Sequence, residues 1–290
     1  MSNLSICVAG CGTMGTGIAI VAARSGFPTV LYDMDAGRLE AARRQMSAFL
    51  AKSVARGKLT QDQVDSIMAR VTLATQPEQV ADCGLVIEAV FEDLQPKGAV
   101  FQALDKVCSP TTLFASNTST LSITEIAAVS GRPDRFVGMH FCLPAQLMKL
   151  VEMSPGLNTS EEAFAQAWSI CEQMGQRPVK TQDQPGFILN CFLVPFNNDA
   201  IRLVEQGVAE PEQIDKAIKA ALGYAMGPME LLDLVGLDTQ VLLCEALHGI
   251  THEPRAACPP LLRKMVAAKR LGRKTQRGFL QYESNKIFGS

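Results

Sequence analysis

The sequence predicts an α/β fold in which a doubly wound, mostly parallel sheet is followed by an all-α domain. Short, β-rich apolar runs alternate with longer helical patterns along the first part of the chain, which is typical of parallel strands joined by helices. From Pro185 onward the pattern is helical, with Gly and Pro marking the breaks. We therefore expect a first domain over residues 1–184 and a C-terminal helical domain over residues 185–290.

Each predicted strand is a short run rich in apolar residues. The runs are Ser5–Ala9, Thr29–Tyr32, Val71–Ala74, Leu85–Val90, Leu113–Ser116, Phe136–His140, Leu150–Met153 and Pro178–Thr181. Between Asp35 and Met68 the sequence is polar and amphipathic, with a break at Gly57. That stretch is long enough for two helices, so we predict a helical hairpin insertion that projects from the sheet.

Composition favours a globular protein that handles small molecules. Of 290 residues, 47% are hydrophobic and 19% are charged, and the formal net charge of −2 favours neither nucleic acid nor an acidic membrane as a partner. The nine cysteines form no CxxC pair, so we expect neither a metal site nor a disulfide framework. The first predicted strand begins almost at the first residue, and no uncharged apolar run is long enough to span a membrane, which together predict a cytoplasmic protein.

A glycine-rich motif, GxGxxG, lies between the first predicted strand and an alanine-rich helical stretch. Gly10 and Gly12 lack side chains, so the chain can turn tightly and its amides can approach a pyrophosphate at the start of the helix. Gly15 allows the helix to pack closely on the strand. We therefore expect a Rossmann-like dinucleotide site that includes Gly10, Gly12, Thr13, Met14 and Gly15.

Asp33 follows the second predicted strand and is the residue expected to select the cofactor. Its carboxylate can accept hydrogen bonds from ribose hydroxyls and would repel the additional phosphate of NADP, so we expect NAD. Arg38 lies nearby in the sequence and could weaken that repulsion, although an arginine on a helix is more often a solvated residue.

A dehydrogenase needs a base that takes the hydroxyl proton as hydride leaves carbon, and His140 is the candidate. Of the three histidines, His248 and His252 lie in the late helical region, whereas His140 ends a predicted strand on the side where open α/β sheets bind ligands. Glu152 ends the next strand-like run, which could return beside His140. A carboxylate bonded to one ring nitrogen would fix the tautomer and leave the other nitrogen available as the base.

Eight motifs occur in the order found in the 3-hydroxyacyl-CoA dehydrogenase family, which the chain resembles over essentially its whole length. The motifs are Gly10–Gly15, Ile87–Asp93, Ser116–Ser119, Gly138–Phe141, Met148–Glu152, Pro185–Asn190, Gly227–Leu234 and Gly272–Phe279. The resemblance implies NAD-dependent oxidation of an (S)-3-hydroxyacyl-CoA, an acyl-CoA thioester, to the 3-oxoacyl-CoA. The small size of the chain favours a short acyl group. The resemblance also implies a homodimer formed through the C-terminal helical domain.

The resemblance further implies that four residues are catalytic. His140 matches the family's general base and Glu152 its orienting carboxylate, while Ser119 and Asn190 match residues that contact the substrate. The Ser119 hydroxyl can bond the reacting 3-oxygen, and the Asn190 amide can polarise the substrate or hold the histidine.

Four charged residues have both a binding interpretation and a structural one. Glu92 and Lys97 match the family's NAD-contacting acid and lysine, but they could instead be a solvated pair at a helix start. Lys52 and Arg56 lie around the end of the first hairpin helix and could bind the phosphates of coenzyme A in the substrate, or form only a solvated basic face.

Two departures from the family pattern leave alternatives open. Leu143 stands where the family usually has asparagine, and Cys191 stands where an arginine commonly follows Asn190. Each departure removes a hydrogen-bonding side chain, so activity would be reduced or substrate preference altered. A dehydrogenase of free 3-hydroxy acids or sugar acids, and a catalytically weak NAD-binding structural or sensing protein, are therefore the alternatives.

Overall fold

The structure, a computed structural model, describes residues 4–282. Between Gln184 and Pro185 the chain divides into two compact units. Each unit has its own apolar core, so each is described by itself.

The first unit contains an eight-stranded sheet with the strand order β3-β2-β1-β4-β5-β6-β7-β8. The strands are β1 (Ile6–Ala9), β2 (Thr29–Tyr32), β3 (Val71–Ala74), β4 (Leu85–Glu88), β5 (Leu113–Ser116), β6 (Phe136–Phe141), β7 (Leu150–Pro155) and β8 (Arg177–Lys180). Neighbouring strands are parallel except β6 and β7, which are antiparallel. The predicted mostly parallel, Rossmann-like sheet is confirmed.

The apolar runs become strands because the sheet's central strands are buried on both faces. Every residue of β1, β4 and β5 is buried. The order of the sheet reverses between β1 and β4, and the crevice at such a reversal is where open α/β sheets bind ligands. The carboxyl ends of β1 and β4 therefore mark the expected binding edge.

Six helices connect these strands. They are α1 (Thr13–Arg24), α2 (Ala36–Ala55), α3 (Gln61–Ala69), α4 (Leu94–Asp105), α5 (Ile123–Val129) and α6 (Glu161–Gln173). The pair α2 and α3 lies between β2 and β3 and forms the predicted hairpin insertion. Its second helix begins with a capping box, in which the Thr60 hydroxyl accepts from the Gln63 amide and the Gln63 side chain accepts from the Thr60 amide.

The second unit is built from helices, which confirms the predicted all-α domain. They are α7 (Leu189–Glu205), α8 (Pro211–Leu222), α9 (Pro228–Val235), α10 (Leu237–Thr251) and α11 (Pro260–Ala267). Proline occupies the first turn of α8, α9 and α11, where its missing N–H removes no helical hydrogen bond. Between residues 4 and 282, no helix is both long and apolar enough to cross a membrane.

Candidate active site

The glycine motif forms the turn from β1 into α1, and two of its glycines are required by the backbone. Gly10 has φ +103°, and a Cβ added there would lie 2.7 Å from the Ala89 carbonyl oxygen. A Cβ on Gly15 would overlap the Gly10 carbonyl oxygen. A Cβ on Gly12 would meet no atom within 4 Å, so the space over this residue is open for a ligand.

The start of α1 suits an anion. Gly12 is its N-cap and provides no side-chain cap, and Thr13 and Met14 follow in the first turn. Amides at such a helix start point outward and, with the helix dipole, favour a phosphate group. The glycine turn and the uncapped helix start therefore fit the pyrophosphate of a dinucleotide.

Asp33 follows the last residue of β2 and faces the glycine turn. Its Oδ2 accepts from the Cys11 amide at 3.3 Å and from the Cys11 thiol at 3.0 Å, and its Oδ1 accepts from the Asp35 amide at 3.1 Å. Burial opposes ionisation of Asp33, but these hydrogen bonds and the nearby Arg38 charge outweigh burial and lower the carboxyl pKa below its usual value. Asp33 is therefore held as an ionised acceptor.

Cys11 is a part of this site that sequence reasoning missed, because the position between two glycines is unspecified in the motif. Burial, then the hydrogen bond to Asp33, raises the pKa of the Cys11 thiol to about 12. Cys11 therefore stays protonated and acts as a donor that orients Asp33.

A cavity of about 350 Å³ opens beside Gly10 and Asp33. Its walls include Met34 and Phe91, which are 83% and 77% exposed, and Val100. A largely apolar pocket with a few polar groups is typical of a site for a flat organic ring. The cavity therefore fits the adenosine half of NAD, with Asp33 placed for the ribose.

The structure brings His140, Glu152 and Ser119 together. His140 in β6 lies directly opposite Glu152 in β7, so the two side chains share one face of the sheet. His140 Nδ1 lies 2.8 Å from Glu152 Oε2, and His140 Nε2 lies 3.1 Å from Ser119 Oγ. His140 is 6% exposed and Glu152 is 1% exposed. A carboxylate can only accept a hydrogen bond, so we assign the ring proton to Nδ1, which makes Nε2 the acceptor.

Glu92 fixes the loop that carries Ser119. Its Oε1 accepts from the Thr118 hydroxyl at 2.6 Å, from the Ser119 amide at 2.7 Å and from both the amide and the hydroxyl of Thr120. Burial alone would raise the pKa of the Glu92 carboxyl, but Lys97 and these donors lower it overall. The ionised Glu92 therefore holds the Ser119 backbone in place.

Lys97 is buried inside the first unit. Its Nζ lies 2.7 Å from Glu88 Oε1 and 3.1 Å from Glu92 Oε2, and the lysine side chain is 1% exposed. Glu88 also accepts from the Val90 amide and from the Ser116 hydroxyl, both at 2.6 Å. The alternative of a solvated pair is therefore wrong for Lys97. Site prediction missed Glu88, although a glutamate ending an apolar run was a signal that a buried partner must exist.

The remaining predicted site residues are on other secondary-structure elements. Lys52 lies in the last turn of α2 and Arg56 caps that helix; both side chains are exposed. Asn190 lies in the first turn of α7 in the second unit, where its backbone N–H donates to the Gly186 carbonyl oxygen. Leu143 is 42% exposed, and the Cys191 thiol donates to the Pro185 carbonyl oxygen at 3.1 Å. The roles of Lys52, Arg56 and Asn190 stay predictions.

A dinucleotide cradle at the sheet's reversal, together with an imidazole held by a carboxylate and a hydroxyl, defines the class of nicotinamide-dependent dehydrogenases. Known proteins agree with that class. Residues 5–184 match the profile of the 3-hydroxyacyl-CoA dehydrogenase NAD binding domain, and residues 186–282 match that of the 3-hydroxyacyl-CoA dehydrogenase C-terminal domain. The chain belongs to the 3-hydroxyacyl-CoA dehydrogenase family.

Individual relatives are similar over nearly their full lengths. The chain is 44% identical to the probable 3-hydroxybutyryl-CoA dehydrogenase of Bacillus subtilis, over 98% of this chain and 99% of that one. It is 41% identical to the mitochondrial hydroxyacyl-coenzyme A dehydrogenase of Rattus norvegicus, over 96% and 91%. The crystal structure of (S)-3-hydroxybutyryl-CoA dehydrogenase PaaH1 from Ralstonia eutropha superposes with a TM-score of 0.91 at 35% identity, covering 98% of this chain and 100% of that one. The predicted family, enzyme class and NAD cofactor are confirmed.

Proposed function

We propose that the chain catalyses the reversible oxidation of short-chain (S)-3-hydroxyacyl-CoA to 3-oxoacyl-CoA with NAD. The observation that carries this proposal is the buried imidazole of His140, placed between the Glu152 carboxylate and the Ser119 hydroxyl. The 3-hydroxybutyryl-CoA named for several relatives supports a short acyl chain.

His140 is the general base of the proposed reaction. Its Nε2 takes the proton of the substrate 3-hydroxyl during oxidation and returns it during reduction. Glu152 keeps the Nδ1 proton in place and stabilises the imidazolium that forms. NAD, when bound, supplies the acceptor for the hydride that leaves carbon 3.

Ser119 and Asn190 are the substrate-contacting residues of the proposal. Ser119 Oγ is already within hydrogen-bond distance of His140 Nε2, so it can bond the same 3-oxygen that His140 deprotonates. The family motif supports a substrate contact for Asn190 in the second unit. Leu143 offers no side-chain hydrogen bond, and the proposed reaction therefore relies on the histidine, serine and glutamate.

Cofactor and coenzyme A contacts complete the proposal. Gly10, Gly12, Thr13, Met14 and Gly15 hold the pyrophosphate and Asp33 the adenosine ribose, as their geometry supports. Glu92 and Lys97 belong to the NAD site, as the family resemblance supports. Lys52 and Arg56 bind phosphates of coenzyme A, and their exposed positions at the end of α2 support this role.

The proposal also covers assembly and compartment. We propose a homodimer formed through the second unit, as the family resemblance implies. Val208, Leu242 and Ile250 of that unit are all more than half exposed, which is compatible with an interface. Cys7, Cys83 and Cys171 are buried free thiols, which supports a cytoplasmic, reducing environment.

A turnover assay over several substrates tests the proposed reaction. NADH oxidation is measured with acetoacetyl-CoA, with longer 3-oxoacyl-CoA thioesters and with free acetoacetate. We expect acetoacetyl-CoA to exceed free acetoacetate in kcat/KM by at least about 100-fold, because coenzyme A supplies binding energy remote from the reacting carbon. Equal use of free acetoacetate would support the free-acid alternative. NADH binding without turnover of any thioester would support the structural or sensing alternative.

A further inference from the structure

A cation lies beside the carboxylate that faces the ribose site. Arg38 Nη1 is 3.9 Å from Asp33 Oδ2, and the arginine side chain is 62% exposed whereas that of Asp33 is 12% exposed. Arg38 lies in the first turn of α2, which is fixed by Asp35: its Oδ1 accepts from the Gly37 amide at 2.8 Å and from the Arg38 amide at 3.2 Å. The guanidinium therefore extends from a rigid helix start toward Asp33.

Asp33 and Arg38 line the same cavity beside Gly10. Among the described residues that line this cavity, these two are the charged ones, and Met34 and Phe91 contribute apolar surface. An anionic group that entered next to the ribose position would meet one carboxylate and one guanidinium. The Asp33 carboxylate would repel this anionic group, because the carboxylate is ionised and is held in place by Cys11.

The two charges match the two known ways of recognising an adenosine ribose. A carboxylate at this position bonds the 2′-hydroxyl of NAD, and a nearby arginine accommodates the 2′-phosphate of NADP. A guanidinium binds a phosphate through two parallel N–H donors, and it stays charged at any working pH. This chain therefore carries the NAD-selecting group and an NADP-compatible group side by side.

We propose that Asp33 alone excludes NADP from this site and that Arg38 is a latent partner for the 2′-phosphate. Removing the carboxylate converts the cavity into an NADP site without any residue being added. The proposal rests on the dinucleotide site proposed above, but it does not depend on the acyl-CoA reaction.

The test is direct cofactor binding to the purified full-length chain. Isothermal titration calorimetry measures the affinities for NADH, NADPH and the fragment 2′,5′-ADP in the wild type, in Asp33→Ser and in Asp33→Asn. We expect the two variants to bind NADPH at least about 10-fold more tightly than the wild type, because a like-charge juxtaposition is removed. Both variants lose affinity for NADH, because the ribose hydroxyls lose their acceptor.

Second substitutions show whether Arg38 is responsible. Adding Arg38→Ala to Asp33→Ser should abolish the gain in NADPH and 2′,5′-ADP affinity. Adding Arg44→Ala, which removes another exposed arginine of α2, should leave the gain in place. The paired comparison separates a specific phosphate contact from the general positive charge of the helix.

Two results would overturn the proposal. One is NADPH binding that stays as weak as in the wild type in both Asp33 variants, with folding verified by thermal melting. The other is a gain that persists in Asp33→Ser/Arg38→Ala. If the serine variant does not fold, the asparagine variant, which keeps the shape of the aspartate, decides the question. Binding is read without any acyl-CoA, so failure of the proposed reaction would leave these results interpretable.

Discussion

Two carboxylates, Asp33 and Glu152, serve the two ends of the candidate site, and they are held in different ways. Asp33 is held by backbone amides, by the Cys11 thiol and by the exposed Arg38, and the Asp33 side chain is 12% exposed. Glu152 is held against the His140 imidazole from the adjacent antiparallel strand, and it is 1% exposed.

The two carboxylates differ in how many of their contacts come from neighbouring residues. Asp33 lies just beyond β2, and besides Cys11 it contacts Asp35 and Arg38, which follow it closely in the chain. The contact of Glu152 depends on strand register, since a slip of one residue would turn the carboxylate to the opposite face. The ribose site can therefore be altered by substituting one or two residues, whereas the pair of His140 and Glu152 requires that the register of β6 and β7 be kept.

The largest expected effect is on turnover and comes from His140, the partner of Glu152. Replacing His140 by Ala should lower turnover by at least about 100-fold, because a positioned general base is lost. NADH affinity should stay unchanged, since Gly10 and Asp33 lie at other strand ends. Steady-state NADH oxidation and calorimetry measure the two quantities, with His252→Asn as a control that removes an exposed histidine. Wild-type turnover in His140→Ala would contradict the assigned base.

The next effect is on stability and concerns the cluster of Glu88, Lys97 and Glu92. Lys97→Met removes the ammonium that lies 2.7 Å from Glu88 Oε1 and 3.1 Å from Glu92 Oε2, and it leaves the buried Glu88 carboxylate without its cation. We expect a loss of about 3–5 kcal/mol in the free energy of unfolding, as for a buried ion pair that loses one partner. Urea unfolding measures it, and Lys106→Met, at an exposed lysine just after α4, is the matched control. A loss as small as that of the control would show that the cluster contributes little.

A substitution at Glu152 sharpens the comparison between the carboxylates. Glu152→Gln keeps the shape but cannot stabilise an imidazolium, so kcat should fall by at least about 10-fold, the smallest loss typical when a carboxylate that orients a functional histidine is removed. Asp33→Asn should instead raise the KM for NAD while kcat changes less. Steady-state kinetics with varied NAD separate these outcomes, and Glu161→Gln at an exposed position controls for loss of an acid. If Glu152→Gln altered only the KM for NAD, the two carboxylates would not have distinct roles.

The same division explains what could be predicted from sequence. Strands were predictable because parallel strands are continuous apolar runs, and the β4 prediction erred only at its end, where Glu88 accepts from the Val90 amide instead of the strand continuing. The closeness of His140 and Glu152 followed from one expected strand return. The cluster around Lys97 and the thiol contact of Cys11 could not be predicted, because they depend on side-chain distances at the ångström scale, which no sequence spacing specifies.

The smallest expected effect is a pH dependence at Asp33, where the pKa of the folded carboxyl is lowered because hydrogen bonds and Arg38 outweigh the opposing effect of burial. An acid with a lowered folded pKa contributes stability above its unfolded pKa, about 3.9, and loses that contribution as pH falls through the folded value. The stability advantage of wild type over Asp33→Asn should therefore shrink as pH drops from 6 toward roughly 3. Urea unfolding across that range measures it. An advantage that grew on acidification would mean that burial, not hydrogen bonding, governs Asp33, and the exclusion of NADP would need another cause.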